Sequence, residues 1–85
     1  MSYQILYTKR AVKDIRKLDS VAKKRLKKQI EKLAQNPFKF AVRLKDKRLG
    51  EYRFRIGNYR VIFDIDKNKL IILRVAHRKE VYNKQ

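Results

Sequence analysis

The residues of this chain that could do chemistry are mostly cations. Lys45, Lys47 and Arg48 come first, Arg53, Arg55 and Arg60 follow, and Arg74, His77 and Arg78 close the group. A guanidinium group meets two phosphate oxygens at once through a planar fork of N–H donors. Arginines gathered on a rigid surface therefore make a site for a phosphodiester. The competing reading is a solvated face with ion pairs such as Arg60–Asp64. The chain has 25 Lys and Arg but only 8 Asp and Glu, too few acids to pair with them, which favours a polyanionic ligand.

His77 is the only histidine. A lone histidine is most often structural. Here its neighbours in sequence are basic, and positive surroundings favour the neutral, proton-accepting imidazole. Tyr82, in the tail, is by default a packing anchor; its ring could also stack on an exposed base. Other chemistries lack their residues. No His, Asp and Glu cluster has metal-ligand spacing. Gly50 and Gly57 are the only glycines, so no glycine-rich phosphate loop exists, and Ser2 and Ser20 have no triad partners. There are no cysteines for disulfides or thiolate metal sites. The expectation is chemistry by cationic side chains, with no metal and no cofactor.

The elements that must position these residues are readable. Tyr3, Ile5 and Tyr7 alternate with polar or smaller residues and predict a first strand over about residues 3–8. Thr8 can cap a helix over about residues 9–18, whose apolar positions Ala11, Ile15 and Leu18 fall on one face. Asp19 and Ser20 break that run and start a second helix, about residues 20–35, with Ala22, Leu26, Ile30, Leu33 and Ala34 as its apolar stripe. Asn36-Pro37 stops it. Residues 37–50 read as a connection in which Phe38 and Phe40 anchor a loop, and Leu44 and Leu49 belong to a short strand or an extended stretch. Tyr52 to Ile56 alternates with period two, Gly57-Asn58 is a hairpin turn, and Tyr59 to Asp66 forms the next strand. Leu70 to Ala76 is nearly continuous apolar sequence, which suits a central strand. The order is β-α-α-β-β-β. Helices precede most of the strands, so the class is α+β, a helical hairpin packed on a largely antiparallel sheet.

Alternation then sorts the side chains. Tyr52, Phe54 and Ile56, with Tyr59, Val61, Phe63 and Ile65, face the helices. Arg53, Arg55 and Arg60 face the other way.

At 85 residues the chain fits one domain, 1–85. With 44% hydrophobic and 39% charged residues it reads as a folded domain with a charged exterior. No apolar run approaches a membrane span, and the first residues lack a signal-peptide pattern, so a cytoplasmic protein is expected. The formal net charge of +17 points to nucleic acid before membrane.

These features together resemble the RelE/ParE superfamily of toxins from type II toxin–antitoxin modules, and its RelE branch in particular. The resemblance rests on the element order, on the run YRFRIGNYRVIF from Tyr52 to Phe63, and on RVAHRKEVY from Arg74 to Tyr82. It spans nearly the whole chain. It implies the RelE-like microbial RNase fold and a ribosome-dependent endoribonuclease. Such an enzyme cleaves mRNA in the A site, docks on rRNA, and is held inactive by a cognate antitoxin. By position, Arg60 matches the arginine that stabilises the scissile phosphate. Arg78 matches the basic residue of the closing motif, and Tyr82 the tail tyrosine that contacts substrate. Arg53 and Arg55 stand where well-characterised members carry two lysines. Arginine hardly deprotonates, and Val42 and Arg43 occupy the stretch where a glutamate base would be sought. The general base therefore falls to His77 first, then to Lys45 or Lys47. The mechanism implied is attack of the RNA 2′-OH on the adjacent phosphorus, with Arg60 and Arg78 neutralising the phosphoryl oxygens. Two alternatives stay open: a ParE-like inhibitor of DNA gyrase, and a non-catalytic RNA-binding or ribosome-associated protein.

Overall fold

The computed structural model describes residues 3–45, 48 and 50–77. Strand β1 (Gln4–Tyr7) ends at Thr8, whose hydroxyl does two jobs. Its Oγ1 accepts the Ala11 N–H at 3.1 Å, capping helix α1 (Lys9–Arg16), and donates to the Leu73 carbonyl at 2.9 Å. Asp19 caps helix α2 (Ser20–Gln35) by accepting the Ala22 N–H at 2.7 Å. Leu26, Ile30, Leu33 and Ala34 of α2 are buried, as their spacing requires.

The connection after Asn36 is more ordered than the expected loop. Pro37 opens a single helical turn, α3 (Pro37–Phe40), because its fixed φ suits a helix start. Phe40 packs on the core beside Phe54, with ring centroids 5.9 Å apart. Phe38 touches Tyr52 edge-on yet stays 60% exposed, so it anchors less than expected. The short strand β2 is Val42–Arg43, one step earlier than Leu44, whose N–H bonds the Glu51 carbonyl at 2.9 Å. Leu49 lies outside the described residues.

The hairpin then follows the sequence closely, with β3 (Tyr52–Ile56), β4 (Tyr59–Asp66) and β5 (Lys69–His77). The sheet order is β1-β5-β4-β3-β2; β1 runs parallel to β5, and the other pairs are antiparallel. The fold is the expected α+β arrangement. The apolar side chains Val61, Phe63, Leu70, Ile72 and Val75 meet the α2 stripe in a core whose largest fully buried member is Phe63. We call this the helix face of the sheet, and the opposite side the far face.

One irregularity decides where the site residues point. Ile62 pairs with Arg74 but Phe63 pairs with Ile72, so Leu73 is an extra residue in β5. Such a bulge reverses the alternation beyond it. Leu70 and Ile72 face the core before the bulge, and Val75 faces it afterwards. No helix among the described residues is long and apolar enough to cross a membrane.

Candidate nucleic-acid interface

On the far face the register places Arg55 directly opposite Arg60, and Arg60 opposite Ala76. One step along, Arg53 lies opposite Ile62, and Ile62 opposite Arg74. Arg53, Arg55 and Arg60 thus share one surface, as alternation requires. The bulge brings Arg74 into that register, but its side chain turns to α1, with Nε 3.5 Å from Asp14 Oδ2, so its guanidinium does not join the row. Arg55 is exposed and Arg53 half-buried. Arg60 differs from expectation. It was expected to project from the polar face, but only 7% of it is exposed and its Nε is shielded from solvent. The reason is its strand: β4 lies in the middle of the sheet, flanked there by Arg55 and Ala76. Burying a guanidinium is costly, and a buried one is held rigidly. Asp64 Oδ1 accepts the Glu51 N–H at 2.7 Å.

At the other half of the far face, Gly50 of the β2–β3 connection meets the sheet. Gly50 lies against Ile62 and Leu73 with φ +148°. Lys45 and Arg48, exposed, belong to the same connection. Lys47, Arg78 and Tyr82 lie outside the described residues.

His77 is not with these arginines. It pairs with Tyr59, and the row Ile56–Tyr59–His77 belongs to the helix face. Its ring meets the Tyr59 ring edge-on at 5.4 Å. Strict alternation from Ile72 would have carried His77 to the far face; the bulge at Leu73 turns it away.

A residue that the sequence reading passed over stands beside it. Asp14 of α1 is buried and accepts the Val75 N–H at 3.0 Å. β1 has ended by this point, so the carboxylate supplies the acceptor that a neighbouring strand would have given. The Nε atoms of Arg74 and Arg10 lie 3.5 and 3.6 Å from its two oxygens. The signal was present: an acid inside the apolar stripe Ala11, Ile15, Leu18, in a chain with few acids. Burial first and then the Glu31 carboxylate push the Tyr7 phenol up, and Tyr7 belongs to a groove between α1 and α2 away from the far face.

Chemically, the far face can grip a phosphodiester. Arg53 and Arg55 of β3 and Arg60 of β4 bring guanidinium groups to one face of adjacent strands, and a guanidinium can meet two phosphate oxygens at once.

Residues 5–82 match the family model described as ParE toxin of the type II toxin–antitoxin system parDE. The chain is 31% identical to a protein named Toxin RelE3 of Methanocaldococcus jannaschii, over 94% of this chain and 96% of that one. Its structure is similar to the toxin–antitoxin complex RelBE2 of Mycobacterium tuberculosis, with TM-score 0.83, 27% identity, and coverage of 92% of this chain and 100% of that one. It is also similar to the RelB–RelE antitoxin–toxin complex of Methanococcus jannaschii, with TM-score 0.74, 30% identity, and coverage of 94% and 98%.

Proposed function

The chain belongs to the RelE/ParE superfamily of type II toxin–antitoxin toxins, on its RelE side, and from that premise we propose that it is an endoribonuclease that cuts mRNA in the A site of translating ribosomes. The observation that carries the reading is the confrontation of Arg55 with Arg60 across β3 and β4, with Arg53 one row away. Like charges directly opposed on a sheet are destabilising. A phosphate bound between them would relieve that repulsion, since each guanidinium can meet two phosphate oxygens.

In the mechanism, a base takes the proton of the RNA 2′-OH, the oxygen forms a bond to the adjacent phosphorus, and the 5′-oxygen leaves with its electron pair and collects a proton. Arg60 neutralises the phosphoryl oxygens, Arg53 and Arg55 hold the flanking backbone, and Arg78 and Tyr82 complete the site from the tail. A base must come within hydrogen-bond reach of the hydroxyl it serves. His77 points to the other side of the sheet from Arg60, which shifts that role toward Lys45 or Lys47 of the β2–β3 connection. The ribosome supplies the rest by holding the mRNA in line. The partner in the cell is a cognate antitoxin, as in the relatives solved with theirs, and an acidic segment would suit this surface.

The test is purified protein added to translating ribosomes, with mRNA ends mapped. Discrete cuts at A-site codons are expected. Arg60→Ala should lower the rate by roughly 10²–10³, the usual cost of losing one preorganised donor to a developing oxyanion, while the folded protein is verified by its melting curve. Wild-type cutting by that variant would remove Arg60 from the site. The match to a ParE model favours gyrase inhibition as the second reading; lost supercoiling without mRNA cuts would establish it instead.

A further inference from the structure

A second cationic site lies on the other side of the sheet. Between α1 and the end of β5 there is a cavity of about 510 Å³, lined by Arg10, Lys17, Tyr59, Arg74 and His77, with Asp14 at its base. That volume falls within the roughly 300–1,000 Å³ typical of small-ligand sites. We propose that this cavity binds one nucleotide of a single RNA strand, its base against the Tyr59–His77 wall and its phosphate toward Arg10 and Lys17.

Three features point to that ligand class. The first is charge. Arg10, Lys17 and Arg74 bring three positive charges and Asp14 one negative, a net +2 from these four residues. The single acid is already engaged, with Val75 N–H on Oδ2, Arg74 beside that oxygen, and Arg10 beside Oδ1. The second is the aromatic wall. Tyr59 and His77 meet edge to face, at 87°, and both rings line the cavity. A nucleobase stacks on an aromatic face whatever its identity. The third is continuity. An adjoining hollow along α1 is lined by Lys9, Arg10, Lys13 and Lys17, so the cavity opens onto a cationic track that can follow a phosphate backbone. An acidic peptide would use the charge but not the wall, which is why RNA is favoured.

This inference rests on RNA being the ligand of the far face, and it gives His77 a binding role in place of a proton-transfer one. A strand passing over the end of β5 would touch both sites. The probe is a 2′-O-methyl trinucleotide, which cannot be cut because the attacking hydroxyl is blocked. Binding to the full-length protein is followed by NMR and by fluorescence anisotropy. Titration should shift the ring signals of His77 and Tyr59. Lys17→Glu, at the exposed end of α1, should weaken binding, and Lys17→Ala should reduce the slope of log K against log salt by about 0.7, the value for one lost phosphate contact on a single strand. A purely structural role for Lys17 would leave that slope alone. The proposal fails if the ring signals stay still while Arg55 responds, if Lys17→Glu binds like wild type, or if a glutamate-rich peptide moves the rings and RNA does not. None of these outcomes depends on cleavage, so a protein that never cuts mRNA could still pass, and an active nuclease could still fail.

Discussion

Asp14 illustrates how much one carboxylate does in a chain with few of them. It ends the hydrogen-bond ladder at the free edge of β5 and holds Arg74 and Arg10 within ion-pair distance. Asp14→Ala would leave the buried Val75 N–H without its acceptor, a loss of about 1–3 kcal/mol. Asp14→Asn keeps an oxygen at that position and should recover part of it. Urea unfolding measures both, and an alanine variant as stable as wild type would refute the assignment. The second residue-scale question is the base. An imidazole base gives a rate that levels off by roughly pH 7, whereas an amine base gives one that keeps climbing through pH 8 and 9. We expect the climbing profile on ribosomes held intact across that range. A plateau near neutrality, abolished in His77→Gln, would return the role to His77.

The β2–β3 connection and the bulge in β5 act together at the scale of elements. Gly50 sits where an added Cβ would be 2.6 Å from Ile62 Cγ2 and 2.9 Å from Leu73 Cδ1, and its φ of +148° is strained for any L side chain. Gly50 therefore lies directly against the far face, beside Ile62 and Leu73. Leu73 is also the extra residue of the bulge, and the bulge selects which side His77 faces. Gly50→Ala should cost about 1–3 kcal/mol by overpacking, seen as a lower melting temperature. It should also lower cleavage more than its stability loss explains, because Lys45 and Arg48 ride on the same connection. A variant with unchanged melting would show that the connection lifts away freely.

For the whole molecule, charge dominates. A net charge of +17 sits on a body of 34 × 30 × 22 Å. Screening acts over about 10 Å at 0.1 M salt, so at low salt most of these charges repel one another. The melting temperature should rise as salt is added from a dilute buffer, and RNA affinity should fall over the same range. A melting temperature that falls with salt would mean that ion pairs, and not self-repulsion, control stability. Local rules were enough to read α2 at Ser20–Gln35, the strands Tyr52–Ile56 and Tyr59–Asp66, the caps at Thr8 and Asp19, and the α+β class. Each depends on neighbours a few residues apart. The grouping of Arg53, Arg55 and Arg60 was equally legible, since alternation needs only a strand. What tertiary structure decided were the burial of Arg60, the capture of the β5 edge by Asp14, and the separation of His77 from the arginines. These depend on which strand is central, where β1 stops, and one extra residue at Leu73. A bulge forms between two strands, so no periodicity within a single strand announces it.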